Sequence, residues 1–214
     1  IIESATDEVI KNLKPGVTEL QMVGIAEKVI YEHGAEYEGL PMYVFSEEST
    51  RHAISRSRYR EIKEGDIVQL NLSAKIDGYS PSIGLPVVMG KLTGERREIV
   101  EFCRKAHEWT TEQIKAGVMA STIAKDFYQL YVDNGMKDNF VYGPCHGTGM
   151  IEVEAPWMET TSDYPLEANM TFQVDTFISG PTFGARWEKG IVVTKDGCRS
   201  MTDYLKKGII EIDV

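Results

Sequence analysis

One stretch of the chain is dense in residues suited to chemistry: Tyr142-Gly143-Pro144-Cys145-His146-Gly147-Thr148-Gly149-Met150, running on into Ile151-Glu152-Val153-Glu154. Three glycines around one histidine let backbone or a bound molecule approach closely. An imidazole so placed serves as a metal ligand or as an acid and base near neutral pH. The structural alternative is a histidine that hydrogen-bonds its own turn and nothing else. Two acids stand in apolar, strand-like surroundings: Asp175 closes Met170-Thr171-Phe172-Gln173-Val174, and Glu188 follows Gly184-Ala185-Arg186-Trp187, just ahead of a strand pattern. A carboxylate in such company costs several kcal/mol to bury unless a metal, an arginine or hydrogen bonds compensate it. Periodicity alone favours a plain salt bridge, for instance between Arg186 and one of the acids, over a metal or acid–base set of His146, Asp175 and Glu188. Cys145 beside His146 is not expected to act as a nucleophile, because neighbours on an extended segment point to opposite sides. His33 and His107 fall in helical patterns, where surface or capping roles are the ordinary ones.

Strands and helices must bring these distant residues together. Strand patterns run from Val68 to Ile76, over Val87-Val88-Met89, and from Gly190 to Thr194 before the turn Lys195-Asp196-Gly197. Helical patterns cover Ile1 to Leu13 and Gly94 to Lys115, the latter with Ile99, Phe102, Cys103, Ala106, Trp109 and Ile114 along one stripe. There is also an internal repeat. Leu13-Lys14-Pro15-Gly16-Val17 returns as Ile114-Lys115-Ala116-Gly117-Val118, and the interval from Gly16 to Gly117 equals that from Gly34 to Gly135. Each later glycine stands where a helix takes a left-handed C-terminal cap. Ile67-Val68-Gln69-Leu70-Asn71 and Thr171-Phe172-Gln173-Val174-Asp175 extend the match. Two duplicated halves, each of two helices followed by strands, would share one sheet with the helices on its outer face.

Composition sets the class of partner. With 42% hydrophobic and 26% charged residues the 214-residue chain is expected to fold throughout, as one domain over 1–214. A formal charge of −10 repels phosphate backbones and anionic lipid, so no nucleic acid and no membrane partner is expected. Cys103, Cys145 and Cys198 are odd in number and widely spaced, which suits a reducing, cytoplasmic location. The chain opens inside a helical pattern at Ile1, and an upstream segment, even a further domain, is expected to precede it.

Taken in order, Lys14-Pro15-Gly16-Val17-Thr18-Glu19, Gly65-Asp66-Ile67-Val68, Asp77-Gly78-Tyr79, His146-Gly147-Thr148-Gly149, Asn169-Met170-Thr171-Phe172, and Arg186-Trp187-Glu188 with Val193-Thr194-Lys195-Asp196-Gly197 resemble the creatinase, prolidase and methionine aminopeptidase superfamily. The resemblance spans nearly the whole chain. It implies the pita-bread fold, an α/β (α+β) architecture of pseudo-two-fold duplicated halves with helices covering a curved central sheet. It also implies a site of five metal ligands holding two ions. On this chain the histidine ligand falls on His146, one glutamate on Asp175 and the other on Glu188. The two aspartate positions fall on Asn71 and Ser82, and a later family histidine on Val153. Two ions about 3.5 to 4 Å apart need several bridging carboxylates. Without both aspartates, at most one divalent ion (manganese, cobalt, zinc or iron) is expected, on His146, Asp175 and Glu188.

The alternative that the resemblance allows is metal-free, as in creatinase, with His146 and Glu188 handling protons. His52 is the second histidine of that route, although the family position falls nearer Ile54. Asn71, Ser82 and Arg186 are then assigned to substrate binding. The implied function is a hydrolase of Xaa-Pro peptidase or creatinase type, acting as a homodimer on a small peptide or amide substrate. A catalytically silent peptide- or protein-binding module is the rival.

Overall fold

The repeated Lys-x-Gly-Val segments are the turns between paired helices. A computed structural model describes residues 1–214. One helix pair is α1 (Ile2–Asn12) and α2 (Glu19–Glu32), and the other is α3 (Gly94–Gln113) and α4 (Ala120–Asp133). Gly34 and Gly135, just past α2 and α4, lie at φ +86° and +71°. That left-handed region costs a side chain more than it costs glycine, so these helices end there. Thr18 and Gln21 form a reciprocal capping box at the start of α2. The second copy lacks it, because Met119 at the matching position has no side chain able to cap.

The strands are β1 (Tyr43–Ser46), β2 (Ile67–Ser73), β3 (Ser82–Met89), β4 (Cys145–Gly147), β5 (Glu154–Met158), β6 (Thr171–Ser179), β7 (Gly184–Val193), β8 (Cys198–Ser200) and β9 (Ile210–Ile212). They form one sheet in the order β1-β2-β3-β7-β6-β4-β5, with β8 added to β7 and β9 to β3. All pairings are antiparallel except β3 with β9. The first half ends at β3 and the second meets it at β7, so the seam of the duplication is the pairing of Ile83 with Lys189 and Gly84 with Glu188. Helix α1 packs on β2 and β3, and α3 on β6 and β7. The expected pita-bread layout is the observed one.

Strand extents differ from the sequence patterns. The strand read from Val68 to Ile76 stops at Ser73, and the chain then turns through Asp77 and Gly78 at positive φ. The strand read from Gly190 begins at Gly184, so Arg186 and Glu188 lie inside β7 rather than ahead of it. Likewise β6 continues past Asp175 to Ser179. In β6 and β7 neighbouring strands supply the hydrogen bonds that keep charged residues extended, a pairing that apolar patterning does not encode.

Alternation along the strands sorts their side chains between the two faces. Val68, Leu70, Ile83, Leu85, Ala185, Trp187 and Ile178 enter the apolar core beneath the helices. Gln69, Asn71, Ser82, Gly84, Gln173, Asp175, Arg186 and Glu188 take the alternate positions and line up on the opposite, concave face.

Candidate active site

Register places four of these positions in a row across the seam: Asn71 pairs with Gly84, Gly84 with Glu188, and Glu188 with Asp175. A glycine is required within that row, since a Cβ on Gly84 would lie 2.8 Å from the Cβ of Glu188 and against the Asn71 carbonyl oxygen. One step along, His146 on β4 pairs with Gln173 on β6. The three residues named from the sequence therefore converge. His146 Nε2 lies 3.7 Å from Glu188 Oε1 and 4.0 Å from Asp175 Oδ2. All three are buried at the floor of a cavity of about 620 Å³, whose mouth carries the exposed side chains of Ile54, Val153 and Trp157.

His146 meets both of its sequence alternatives at once. Its Nδ1 lies 2.9 Å from the Gly147 carbonyl oxygen, which fixes that nitrogen as the N–H donor and turns Nε2 toward the acids. Arg186 likewise satisfies the salt-bridge alternative. Its Nε lies 3.2 Å from Asp175 Oδ1 and its Nη1 3.7 Å from Glu188 Oε2, while Nη2 donates to the Ala53 carbonyl and to the Tyr142 hydroxyl. Tyr142 in turn donates to Asp175 Oδ2 at 2.8 Å.

Glu152, which the residue patterns did not single out, is the further member of the site. It reaches in from the loop between β4 and β5 and is buried. The Ser82 hydroxyl lies 2.9 Å from Glu152 Oε1 and 2.9 Å from Glu188 Oε1, and it accepts from Gln173 Nε2 at 3.1 Å. A hydroxyl has one proton to donate and two lone pairs. With Gln173 on one lone pair and one carboxylate taking the proton, the second carboxyl must itself carry a proton or share a cation. Burial, then the nearby Glu188 charge, pushes the pKa of Glu152 up to about 10, so the proton rests there. Burial also opposes ionisation of Glu188, but His146 and Arg186 outweigh it and hold this carboxyl below the usual range. Asp175 is pushed up to about 6 by burial against the opposing pull of Arg186. Burial disfavours the imidazolium of His146, yet Glu188 and Asp175 raise its pKa overall.

The other expected site residues stand further off. His52 is exposed and does not line the cavity; Ala53 and Ile54 line it instead, so His146 is the one histidine in its wall. Asn71 and Ser82 are not in the cavity wall: the Ser82 hydroxyl meets Glu152 and Glu188, and Asn71 Oδ1 is buried without a hydrogen-bond partner, whereas Arg186 does reach the wall.

The donors present fit one divalent ion. Ligand atoms of His146, Glu152 and Glu188 all lie within 4.8 Å of one another, and Glu188 Oε2 is buried without a hydrogen-bond partner. They do not fit two, since Asn71 and Ser82 offer only neutral oxygens where bridging carboxylates are needed.

A seam between duplicated halves, with a histidine and buried acids in a cavity on the concave face, defines a protein of the pita-bread fold. The chain belongs to metallopeptidase family M24, whose sequence pattern it matches over residues 1–195. It is 29% identical to an uncharacterised peptidase, YqhT, of Bacillus subtilis over 98% of this chain and 60% of that protein. It is 23% identical to an Xaa-Pro dipeptidase of Pyrococcus furiosus over 94% of this chain and 58% of that protein. Among solved structures, an Xaa-Pro dipeptidase from Bacillus anthracis superposes with a TM-score of 0.94 at 25% identity, over 99% of this chain and 59% of that one. The chain thus spans about 60% of the length of these relatives.

Proposed function

We propose that the protein is a hydrolase of Xaa-Pro peptidase or creatinase type, acting on a small peptide or amide C–N bond with at most one metal ion. The convergence of His146, Asp175, Glu188 and Arg186 at the floor of one cavity carries this reading. Relatives named as dipeptidases support the substrate class. A divalent ion bound there would polarise the scissile carbonyl as a Lewis acid. The chain's own groups do the rest. In the metal-free route His146 presents Nε2 to the cavity and passes a proton between attacking water and leaving nitrogen, with Glu188 holding the imidazole charge; where an ion is bound, Nε2 serves as its ligand instead. Asp175 and Tyr142 fix Arg186, whose guanidinium orients the substrate's carboxylate or carbonyl. Ile54, Val153 and Trp157 at the mouth provide an apolar surface for a nonpolar side chain or proline ring, and shield the reaction from water.

One observation favours the rival reading of a silent binding module: Arg186 already supplies a cation to Asp175 and Glu188 in a family where metal charge is the rule. The two separate in one assay. Xaa-Pro and N-terminal-methionine peptides are offered with manganese or cobalt; a hydrolase turns one over and loses that activity in His146→Ala at unchanged fold. A binding module turns over neither, and its His146→Ala variant keeps peptide affinity. The proposed assembly is a homodimer, tested by sedimentation. A cytoplasmic location is proposed as well, and no helix is long and apolar enough to cross a membrane.

A further inference from the structure

Asp175 and Glu152 occupy the same cavity floor but have opposite freedom. Both Asp175 oxygens face fixed groups: Oδ1 lies 3.2 Å from Arg186 Nε as an ion pair, without a hydrogen bond, and Oδ2 accepts from the Tyr142 hydroxyl at 2.8 Å. Arg186 is itself tied to the Ala53 carbonyl and stands over the Phe177 ring, so this cation cannot swing away without breaking several contacts. An ion seated on Asp175 would face a fixed positive charge. Glu152 has no ion pair, and its Oε1 accepts from the Ser82 hydroxyl at 2.9 Å. Its carboxylate, one Glu188 oxygen and a His146 ring nitrogen fall within 4.8 Å of one another, all three residues buried. Glu188 offers Oε1 to His146 and Ser82, while its Oε2 is buried without a hydrogen-bond donor and has Arg186 Nη1 at 3.7 Å.

We propose that Glu152 replaces the lost aspartates as the third ligand of a single-ion site formed with His146 and Glu188, and that Asp175 is not a ligand but the anchor of Arg186. One nitrogen and two carboxylate donors suit manganese, iron or zinc, with water or substrate filling the remaining positions. Ser82, at one of the two aspartate positions, touches both glutamates and is itself held by Gln173, so it supports the displaced site. This assignment takes from the hydrolase reading only the location of the site.

The test is metal binding itself. The protein is stripped with chelator and titrated separately with Mn²⁺ and Zn²⁺, and bound metal per chain and the shift in melting temperature are recorded. The wild type and Asp175→Asn should each bind one ion, whereas Glu152→Gln should lose affinity by about 100-fold or more, beyond what loss of an outer-shell partner does. Near-ultraviolet circular dichroism confirms folding of each variant, and Glu152→Asp, which withdraws the carboxylate by one methylene, stands in should Glu152→Gln not fold. The proposal is overturned if the wild type binds neither ion, if Glu152→Gln and Glu152→Asp bind like wild type, or if Asp175→Asn loses the ion as Glu188→Gln does. Peptide turnover in the same samples separates the two readings. Turnover with a metal that ignores Glu152 removes this assignment and keeps the hydrolase, while Glu152-dependent metal without turnover does the reverse.

Discussion

Strand β7 shows two kinds of buried polarity back to back. On the concave face Arg186 and Glu188 sit in a mesh of opposite charges, and each group's protonation is set by its partners. On the other face Trp187 and Lys189 point toward α3 and a cavity of about 320 Å³. There His107, Trp187 and Ser200 carry buried polar atoms that find no partner, and His107 has its pKa driven down to about 3 by burial, with Lys189 adding to the effect. Alternate residues of one strand thus follow different rules. Where charges meet charges, pairing decides the protonation state; where a lone imidazole meets a core, desolvation does.

The largest test of this contrast is Arg186→Met. It removes the cation between two buried acids while keeping most of the volume, and it should cost about 3 to 5 kcal/mol in urea unfolding. A loss below about 1 kcal/mol would show that the concave face is not held by pairing. On the convex face the matching test is His107→Leu combined with pH. A buried histidine whose folded pKa lies far below its unfolded value of about 6.5 gives full stability above pH 6.5 and loses it as pH falls toward 3, because only the unfolded chain takes up the proton. Between pH 7 and pH 5 the wild type should therefore lose on the order of 2 kcal/mol that His107→Leu retains. Equal acid sensitivity in the two proteins would show that His107 is not neutral in the fold.

Ser82→Ala comes next in size. It removes the hydroxyl shared by Glu152, Glu188 and Gln173, and it should destabilise by about 1 to 3 kcal/mol through the polar atoms left unsatisfied. Trp187→Phe should matter least, at under about 1.5 kcal/mol, because it removes an indole N–H that has no partner to lose. A larger cost for Trp187→Phe than for Ser82→Ala would reverse the contrast between the faces.

His146, Asp175 and Glu188 were legible from the sequence because each was an anomaly: an imidazole among glycines, and carboxylates where a strand pattern wanted apolar residues. The repeat was legible because left-handed caps demand glycine at fixed places, and Gly34 and Gly135 occupy them. Glu152 was not legible. It stands among Met150, Ile151, Val153 and Glu154 in a loop, where an acid is unremarkable, and only its proximity to Ser82 across the seam makes it part of the site. The one available signal was an acid so close behind the His146-Gly147-Thr148-Gly149 run. His52 differs: it is two residues from the family position at Ile54, and Ala53 and Ile54, not His52, line the cavity.

Local chemistry, written residue by residue, was enough to determine the duplicated halves and the helix ends, while the family and the loss of both aspartates rested on the resemblance of the chain's motifs. Which strand of one half would lie beside which strand of the other, and so which oxygen would face which nitrogen, depended on pairings between residues a hundred positions apart. Those contacts arise only when the chain closes on itself. The partners, and hence the charges, of Glu152, Asp175 and Arg186 were decided there, because a buried group's protonation follows from its neighbours and not from its place in the chain.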